Sequence, residues 1–120
     1  MHTGDRIPLV PTSATLKQAI IEMSAKGLGM TGVVDEQDQL VGIFTDGDLR
    51  RCLDNNKLDT QHVITEYMTA NSVSSRDNVL AAETLKLMED KKINSLFVLN
   101  EQGQPTGALN MHDLLKAGVI

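Results

Sequence analysis

The sequence predicts an α+β fold made of two tandem βαββα units, each a small mixed sheet packed on two helices, with the units related by a pseudo-twofold axis. Three observations predict this fold. The two halves of the chain align without a gap at an offset of 65 residues. Each half alternates short extended segments with helical periodicity. The chain has 120 residues, which suits one module with a modest core better than two independent domains.

The internal repeat is the most informative feature of the sequence. Between Met23 and Leu49 the first half shares nine identities with the second, whereas ordinary residue usage would give roughly one or two by chance. Two copies are too few for a solenoid, so we expect them to close on each other. The identical pairs are Met23/Met88, Lys26/Lys91, Val33/Val98, Glu36/Glu101, Gln37/Gln102, Gln39/Gln104, Gly42/Gly107, Asp48/Asp113 and Leu49/Leu114.

The first repeat begins with an extended segment at residues 7–10, followed by a helix. Thr12 or Ser13 can cap the start of that helix, and Gly27 stands where a helix commonly ends. Apolar side chains recur at i, i+3, i+4 and i+7, which is the spacing of one helix face. That face consists of Leu16, Ala19, Ile20 and Met23.

Two strands and a second helix complete the first repeat. The strands are predicted at residues 30–34 and 40–45, with a polar turn between them at residues 35–38. Because the turn is short, we expect the two strands to pair antiparallel. The second helix is predicted over residues 46–55.

The second repeat has the same order of elements. Its first helix is expected to turn Ala81, Leu85 and Met88 inward. The predicted elements are a strand at 72–74, a helix at 78–91, strands at 96–99 and 106–110, and a helix at 111–117.

The repeat also sets the expected organisation of the chain. We place the first repeat at residues 1–55, a linker at 56–70 and the second repeat at 71–120. The linker is expected to contain a short helix that packs across the units, because its apolar residues have helical spacing. Those residues are Val63, Ile64, Tyr67 and Met68.

Composition and charge exclude several classes of function. The net charge is −5, with 16 Asp and Glu against 11 Lys and Arg, and no basic stripe is present to bind nucleic-acid phosphates. Aromatic residues make up 2 % of the chain, too few to stack on many bases. No apolar run approaches the length of a membrane span. We therefore expect a cytoplasmic protein with no nucleic-acid or membrane partner.

No catalytic or metal-binding constellation is evident. The three histidines are scattered and lack partners at metal-ligand spacing, so no metal site is expected. The single Cys52 excludes an internal disulfide. We expect Cys52 to be a core residue, because it shares an apolar helix face with Leu49 and Leu53.

The segment from Gly42 to Arg51 is the strongest candidate for chemistry, because it joins a strand to a helix. A helix N-terminus presents unpaired N–H groups and a positive dipole end to an anion. Thr45 and Asp48 lie one helical turn apart, and a carboxylate can accept hydrogen bonds from both hydroxyls of a ribose. Gly47 would admit a ligand to the backbone, and Arg50 or Arg51 could hold a phosphate.

Structural alternatives stay open for these residues. Thr45-x-x-Asp48 has the pattern of a capping box, which serves the helix alone. The repetition of Gly42 and Asp48 in the second copy favours a ligand site, since a cap does not need that glycine. Gly29 marks either close approach of a ligand or a bulge at the start of the middle strand.

The repeated unit, which ends in Gly-apolar-x-Thr-x-x-Asp, resembles the CBS domain, and its duplication resembles a CBS domain pair (a Bateman module). The resemblance implies clefts between the repeats that bind adenine nucleotides or related molecules. It also implies that Thr45 and Asp48 contact ribose hydroxyls, and that Ile43 and residues 9–12 line the base or sugar. Asn110 replaces the threonine in the second copy, so the first copy is the better candidate.

The resulting set of candidate site residues is as follows. The predicted ligand-binding residues are Leu9, Thr12, Gly29, Thr31, Ile43, Thr45, Asp46, Gly47, Asp48, Arg50 and Arg51, with a weaker second cleft at Asn110, His112 and Asp113.

Three stretches, residues 2–8, 42–51 and 111–120, resemble the C-terminal part of D-arabinose 5-phosphate isomerases. In that family a sugar-isomerase domain precedes the CBS pair and interconverts ribulose 5-phosphate and arabinose 5-phosphate, which feeds synthesis of the lipopolysaccharide sugar Kdo. The resemblance implies a regulatory part of an aldose–ketose isomerase. We expect this chain to carry no catalytic residue and no catalytic cofactor, and not to be an enzyme without its N-terminal isomerase domain.

Three functions remain open from the sequence. The first is a regulatory sensor that binds a nucleotide or nucleotide sugar, with CMP-Kdo, AMP or ATP as the allosteric ligand, and that forms a homo-dimer or higher homo-oligomer. The second is a structural dimerisation module that binds no ligand. The third is an independent small enzyme, for which no poised nucleophile or base is present.

Overall fold

The computed structural model describes residues 3–56, 58–70, 73–79 and 81–111. The chain divides into two compact units, Pro8–Ser72 and Met1–Ile7 with Val73–Ile120. Each unit contains its own sheet, and the fold is α+β, as the sequence predicts. The limits of the repeats and of the linker, drawn above from the alignment of the two halves, stay predictions.

The unit Pro8–Ser72 is built around a mixed four-stranded sheet in the order β1-β2-β3-β4. The pair β1–β2 is parallel, whereas β2–β3 and β3–β4 are antiparallel. Its elements are β1 (Leu9–Pro11), α1 (Leu16–Lys26), β2 (Met30–Val34), β3 (Leu40–Thr45), α2 (Asp46–Asp54), a 3₁₀ helix (Ile64–Glu66) and β4 (Thr69–Ala70). The predicted antiparallel hairpin of β2 and β3 is confirmed.

The other unit has a three-stranded sheet in the order β5-β6-β7, parallel for the first pair and antiparallel for the second. Its elements are a 3₁₀ helix (Gly4–Arg6), β5 (Ser74–Arg76), α3 (Ala81–Lys91), β6 (Ser95–Leu99) and β7 (Pro105–Asn110). The βαββ order of the second repeat is thereby confirmed. The final helix, predicted over residues 111–117, lies outside the described residues beyond Met111.

Equivalent hydrogen bonds show that the backbone follows the same course in each of the two repeats. The N–H of Asp46 donates to the carbonyl of Gly29 over 3.0 Å, and at the equivalent positions Met111 donates to Asn94 over 2.7 Å. Gly27, which ends α1, has φ +71°, and its counterpart Lys92 has φ +56°. The repeat seen in the sequence is therefore a repeat of conformation, including the left-handed residue that follows each long helix.

Helix α1 begins at a capping box that the sequence interpretation missed. Thr15 is the N-cap and exchanges hydrogen bonds with Gln18, over 2.8 Å from its N–H to Gln18 Oε1 and 3.2 Å from the Gln18 N–H to its Oγ1. The predicted caps Thr12 and Ser13 are wrong. The N–H of Thr12 still donates to the carbonyl of Val34 in β2, over 3.1 Å, so the chain is extended there and cannot yet begin a helix.

The core of Pro8–Ser72 lies between α1 and one face of the sheet. Val33 and Phe44 of the sheet pack there with Leu16, and all three are fully buried. The predicted apolar face of α1 is confirmed, with Ile20 half-buried and the other three residues buried. In the other unit α3 buries Leu85 and Met88 as predicted.

Helix α2 differs from α1 in that none of its residues is buried. The prediction that Cys52 belongs to the core is wrong, because the residue is half-buried and its neighbour Leu53 is 55 % exposed. Of the predicted apolar face, Leu49 packs partly buried against the core, whereas Cys52 lines a cavity.

The segment between the repeats closes the first sheet. Ile64 is fully buried at the start of the 3₁₀ helix, so a short helix is present in the predicted linker, and its packing across the two units stays a prediction. Strand β4 was not predicted, because two residues carry no periodic signal. Two carbonyls of this segment also receive the first N–H groups of α1: Leu16 donates to His62 over 2.8 Å and Lys17 donates to Thr60 over 3.0 Å.

Candidate functional site

The junction of β3 and α2 holds the predicted Thr-x-x-Asp motif. Thr45 ends β3 and is the N-cap of α2. Its N–H donates to Asp48 Oδ2 over 3.0 Å, and the N–H of Asp48 donates to Thr45 Oγ1 over 3.1 Å. The capping box, one of the two alternatives for this motif, is therefore formed. It uses one oxygen of the Asp48 carboxylate and leaves the other to a different partner.

That partner is Arg51, whose Nη2 donates to Asp48 Oδ1. The Asp48 side chain is 12 % exposed and the Arg51 side chain 68 % exposed. Both carboxylate oxygens of Asp48 are thus engaged, one with the backbone and one with a largely solvated cation. The adjacent Arg50 is exposed and forms no ion pair with the described residues.

The first N–H groups of α2 are only partly satisfied. Asp46 donates to the carbonyl of Gly29 over 3.0 Å, and Asp48 donates to Thr45 as above. The N–H of Gly47 has no hydrogen-bond acceptor among the described residues. A Cβ atom at Gly47 would lie 3.5 Å from Arg51 Nη1 and 3.7 Å from Thr45 Oγ1, so the guanidinium of Arg51 lies close to Gly47.

Gly29 connects β2 to α2 through its backbone. Its φ of +71° favours glycine, and a Cβ atom there would lie 3.0 Å from Asp46 Oδ2. The side chain of Asp46 therefore occupies the space that a larger residue at position 29 would need. This contact explains why glycine stands at position 29 without any need for a ligand.

A contact within the fold also accounts for the glycine at position 42, and the sequence did not reveal this contact. A Cβ atom on Gly42 would lie 2.5 Å from Met68 Sδ and 3.1 Å from the carbonyl oxygen of Thr69. The chain leading into β4 thus passes directly over Gly42. This close approach explains the glycine of the first repeat without a ligand, although its repetition favoured a ligand site in the sequence.

Three of the strands present one row of residues on the sheet face opposite the core. Leu9 of β1 pairs with Gly32 of β2, which pairs with Ile43 of β3. The next row, Val10 and Val33, packs into the core, and alternate residues of a strand face opposite sides. Leu9 and Ile43 are half-buried, and Gly32 leaves a gap without a side chain between them.

Thr12 and Thr31, also predicted as ligand contacts, lie elsewhere. Thr31 is on the core face opposite Phe44 and is fully buried, with its hydroxyl donating to the carbonyl of Gly32 over 3.4 Å. Thr12 is half-buried just after β1. The structure thus places Leu9 and Ile43 on the sheet face opposite the core, and residues 45–51 at the junction where β3 is followed by α2. The Thr31 side chain, in contrast, faces the core.

A cavity of about 260 Å³ adjoins the Asp48–Arg51 pair. Its remaining lining comes from the end of α2 and from the 3₁₀ helix and the residue after it, and consists of Cys52, Asn55, Glu66 and Tyr67. Cys52 and Asn55 lie at i+4 and i+7 from Asp48, a helical spacing that could have revealed them. Glu66 and Tyr67 carried no such signal, because only the tertiary fold brings them to α2.

The equivalent junction of the second repeat is described only in part. Asn110 ends β7, is half-buried and pairs with Ser95 of β6. His112 and Asp113, the other predicted residues of the weaker cleft, lie outside the described residues. Among residues 3–56, 58–70, 73–79 and 81–111 there is no group of three His, Cys, Asp or Glu placed to hold a metal ion.

The sequence model of the CBS domain matches this chain twice, over residues 3–55 and 64–120. The chain belongs to the CBS domain family. Two matches in tandem make it a CBS pair, in agreement with the repeat described above. In the described part of this CBS pair, no helix has the length and apolar character that crossing a membrane requires.

The CBS pair is similar to one region of arabinose 5-phosphate isomerases. It is 52 % identical over 120 residues to the arabinose 5-phosphate isomerase KdsD of Pseudomonas aeruginosa and 44 % identical over the same length to that of Escherichia coli. The match covers all of this chain, but only 37 % and 36 % of the two relatives. The chain thus spans little more than a third of the curated relatives it matches.

Solved structures of CBS proteins share the fold at low sequence identity. CBSX2 in complex with AMP aligns with a TM-score of 0.85 at 22 % identity, covering 99 % of this chain and 92 % of that one. The CBS domain pair of protein MJ0100, in complex with 5′-methylthioadenosine and S-adenosyl-L-methionine, aligns with a TM-score of 0.84 at 20 % identity, covering 97 % and 90 %. These likenesses establish the fold of the CBS pair.

Proposed function

We propose that this CBS pair is a regulatory module that binds a nucleotide or nucleotide sugar at the start of α2 and controls the activity of an attached sugar-phosphate isomerase. One observation carries the proposal. An open backbone N–H at Gly47, a carboxylate at Asp48 and two arginines lie within the first turns of one helix. Together they supply a donor for an anion, an acceptor for hydroxyls and cations for a phosphate.

Each group has a distinct role in this proposal. The Gly47 N–H and the positive end of α2 bind an oxygen of the phosphate, with Arg50 or Arg51 as the counter-charge. Asp48 accepts hydrogen bonds from the ribose hydroxyls, next to the Thr45 hydroxyl. Ile43 precedes Thr45 by two residues on the same strand and so faces the same side. From Ile43 the gap at Gly32 leads to Leu9, an apolar row on which a base or sugar can lie.

The wider setting follows from the relatives. Those most similar in sequence are named arabinose 5-phosphate isomerases, and CBS neighbours in the solved structures are complexed with adenine-containing molecules. We infer that the isomerase interconverts ribulose 5-phosphate and arabinose 5-phosphate. CMP-Kdo is the ligand expected from feedback within that sugar pathway, and AMP or ATP is the alternative.

Thermal unfolding of the chain with AMP, ATP, CMP and CMP-Kdo tests the proposal. A ligand at one hundred times its dissociation constant adds about 2.7 kcal/mol to the free energy of unfolding. We expect one of these compounds to raise the unfolding midpoint, and Asp48→Ala to abolish the rise measured against the variant's own unliganded midpoint. Gln18→Ala is the matched control, because it opens the capping box of α1 without touching the proposed site.

The outcomes separate cleanly. Loss of the ligand effect in Asp48→Ala but not in Gln18→Ala supports the proposal. An unchanged ligand effect in Asp48→Ala places the ligand elsewhere, and no effect of any compound on the native chain contradicts the sensor function.

A second function, structural dimerisation without a ligand, is favoured by exposed apolar side chains. Ile21 of α1 is 57 % exposed and Leu53 of α2 is 55 % exposed, and a second copy of the chain would cover such residues. Sedimentation of the chain tests it. A dimer that dissociates in Ile21→Lys or Leu53→Lys, with no nucleotide bound to either state, would favour this function over the sensor.

A further inference from the structure

The carboxylate of Asp48 is covered in the structure by a side chain that can move. Asp48 Oδ1 accepts a hydrogen bond from Arg51, while Oδ2 is held by the N–H of Thr45 at 3.0 Å. Only 12 % of the Asp48 side chain is exposed, against 68 % for Arg51. The acceptor that a ribose needs is therefore hidden beneath a solvated guanidinium. The Arg51 end of this ion pair is largely exposed to solvent, and ion pairs between solvent-exposed partners contribute little to stability.

An anion at the start of α2 would draw Arg51 away from Asp48. The guanidinium nitrogens lie 3.5 and 3.8 Å from the position of a Cβ atom on Gly47, which is the residue whose N–H is open. An anionic group bound to that N–H would therefore lie near the guanidinium. Because Asp46 and Asp48 place two carboxylates in the first turn of α2, an anion there requires a cation beside it, and Arg51 is positioned to supply it.

We infer that Arg51 makes this site selective for ligands that carry both a diol and an anionic group, and that it excludes the corresponding neutral nucleosides. This inference rests on the proposed function, since it concerns the same site. A nucleotide offers Arg51 a phosphate in exchange for Asp48, and the released carboxylate oxygen then accepts a ribose hydroxyl. A nucleoside offers no such exchange and has to compete with Arg51 for the carboxylate.

Arg51 is therefore a specificity-determining residue rather than a simple phosphate ligand. A simple phosphate ligand would affect nucleotides and leave nucleosides unchanged when it is removed. If Arg51 instead covers Asp48 until a phosphate replaces the carboxylate as its partner, its removal has opposite effects on nucleotides and nucleosides. Its removal weakens nucleotide binding, because the counter-charge is lost, and strengthens nucleoside binding, because Asp48 is uncovered.

Two matched ligand pairs, CMP with cytidine and AMP with adenosine, test this difference by calorimetric titration of the native chain, Arg51→Ala and Lys17→Ala. Since a charge-assisted hydrogen bond contributes a factor of about ten or more to affinity, we expect nucleotide affinity to fall at least about tenfold in Arg51→Ala. Nucleoside affinity should rise in the same variant. Lys17→Ala is the control, because it removes an exposed positive charge from α1, outside the proposed site.

Each result has a defined meaning. A nucleotide-to-nucleoside preference that collapses in Arg51→Ala and persists in Lys17→Ala supports the inference. Nucleotide binding to the native chain with a preference that is unchanged in Arg51→Ala, or lost equally in Lys17→Ala, overturns the inference and leaves the proposed function intact. If the native chain binds none of AMP, ATP, CMP and CMP-Kdo, both the inference and the proposed function are overturned.

Discussion

The two helices that pack on the first sheet begin with the same capping motif but are closed in different ways. Both N-caps are threonine, and each exchanges hydrogen bonds with the residue three positions on, Gln18 in α1 and Asp48 in α2. In α1 the next two N–H groups donate to backbone carbonyls of Thr60 and His62. In α2 the second N–H, at Gly47, has no acceptor among the described residues.

The side chains at the first position of α1 and of α2 also differ in how far they are exposed to solvent. Leu16 starts α1 and is fully buried, whereas Asp46 starts α2 and is exposed. One helix start is thus anchored in the core and covered by chain, and the other is open to solvent. The capping box is common to both, so it does not by itself mark a binding site. What distinguishes α2 is the open N–H together with the charges around it.

The largest expected effect comes from the first helical position. Leu16→Ala should lower the free energy of unfolding by about 2–5 kcal/mol, because it leaves a cavity in the core. Asp46→Ala should cost at most about 1 kcal/mol, since it removes only a favourable charge at an exposed helix start. Urea unfolding of both variants measures the difference. Equal costs would show that the start of α2 is as firmly anchored as that of α1.

A smaller and matched effect is expected at the two N-caps. Thr15→Ala and Thr45→Ala should each cost about 1 kcal/mol, within a range of about 0.5–2, because each removes one capping hydrogen bond. Only Thr45→Ala should also reduce the stabilisation by a bound nucleotide. Thermal unfolding with and without ligand measures both quantities. If Thr15→Ala reduced the ligand effect equally, the two helix starts would not differ in function.

The smallest effect on stability should be a gain. Gly47→Ala is expected to raise the free energy of unfolding by about 0.5–1 kcal/mol, because alanine restricts the unfolded chain and meets only ordinary contacts here. The added methyl group should at the same time lower nucleotide affinity by crowding the open N–H. Denaturant unfolding and calorimetric titration measure the two effects.

Gly27→Ala is the control for that substitution. Gly27 has φ +71°, so the same replacement should destabilise the chain by about 1–2 kcal/mol. A Gly47→Ala variant that is both more stable and equally able to bind nucleotide would contradict the role given to the Gly47 N–H.

The features that could be predicted from the sequence are those encoded by neighbouring residues. The repeat, the apolar face of α1 and the bounds of β2 and β3 depend on local periodicity, and they agree with the structure. The Thr45–Asp48 pair was also predictable, because its geometry is set within one helical turn. For the same reason the sequence could not decide between a cap and a ligand site, since one spacing serves both.

The features that could not be predicted depend on distant parts of the chain. The true cap of α1 is Thr15 rather than Thr12 because β1 must first pair with β2. Gly42 suggested a ligand, but the residue that requires a glycine there is Met68, which follows it by many residues. The lining of the cavity by Glu66 and Tyr67 likewise depends on the path of the chain after α2, and no short motif encodes that path.

The carbonyls that accept hydrogen bonds from the start of α1 come later in the chain than α2. Their position sets an order in which the first unit can fold during synthesis. The acceptors for Leu16 and Lys17 lie at His62 and Thr60, and Ile64, which fills the core beneath them, follows directly. A nascent chain that has emerged only as far as Asn55 has every residue of α1, yet neither its N-terminal acceptors nor that part of its core. The first two N–H groups of helix α1 therefore lack their acceptors until the segment after α2 has left the ribosome.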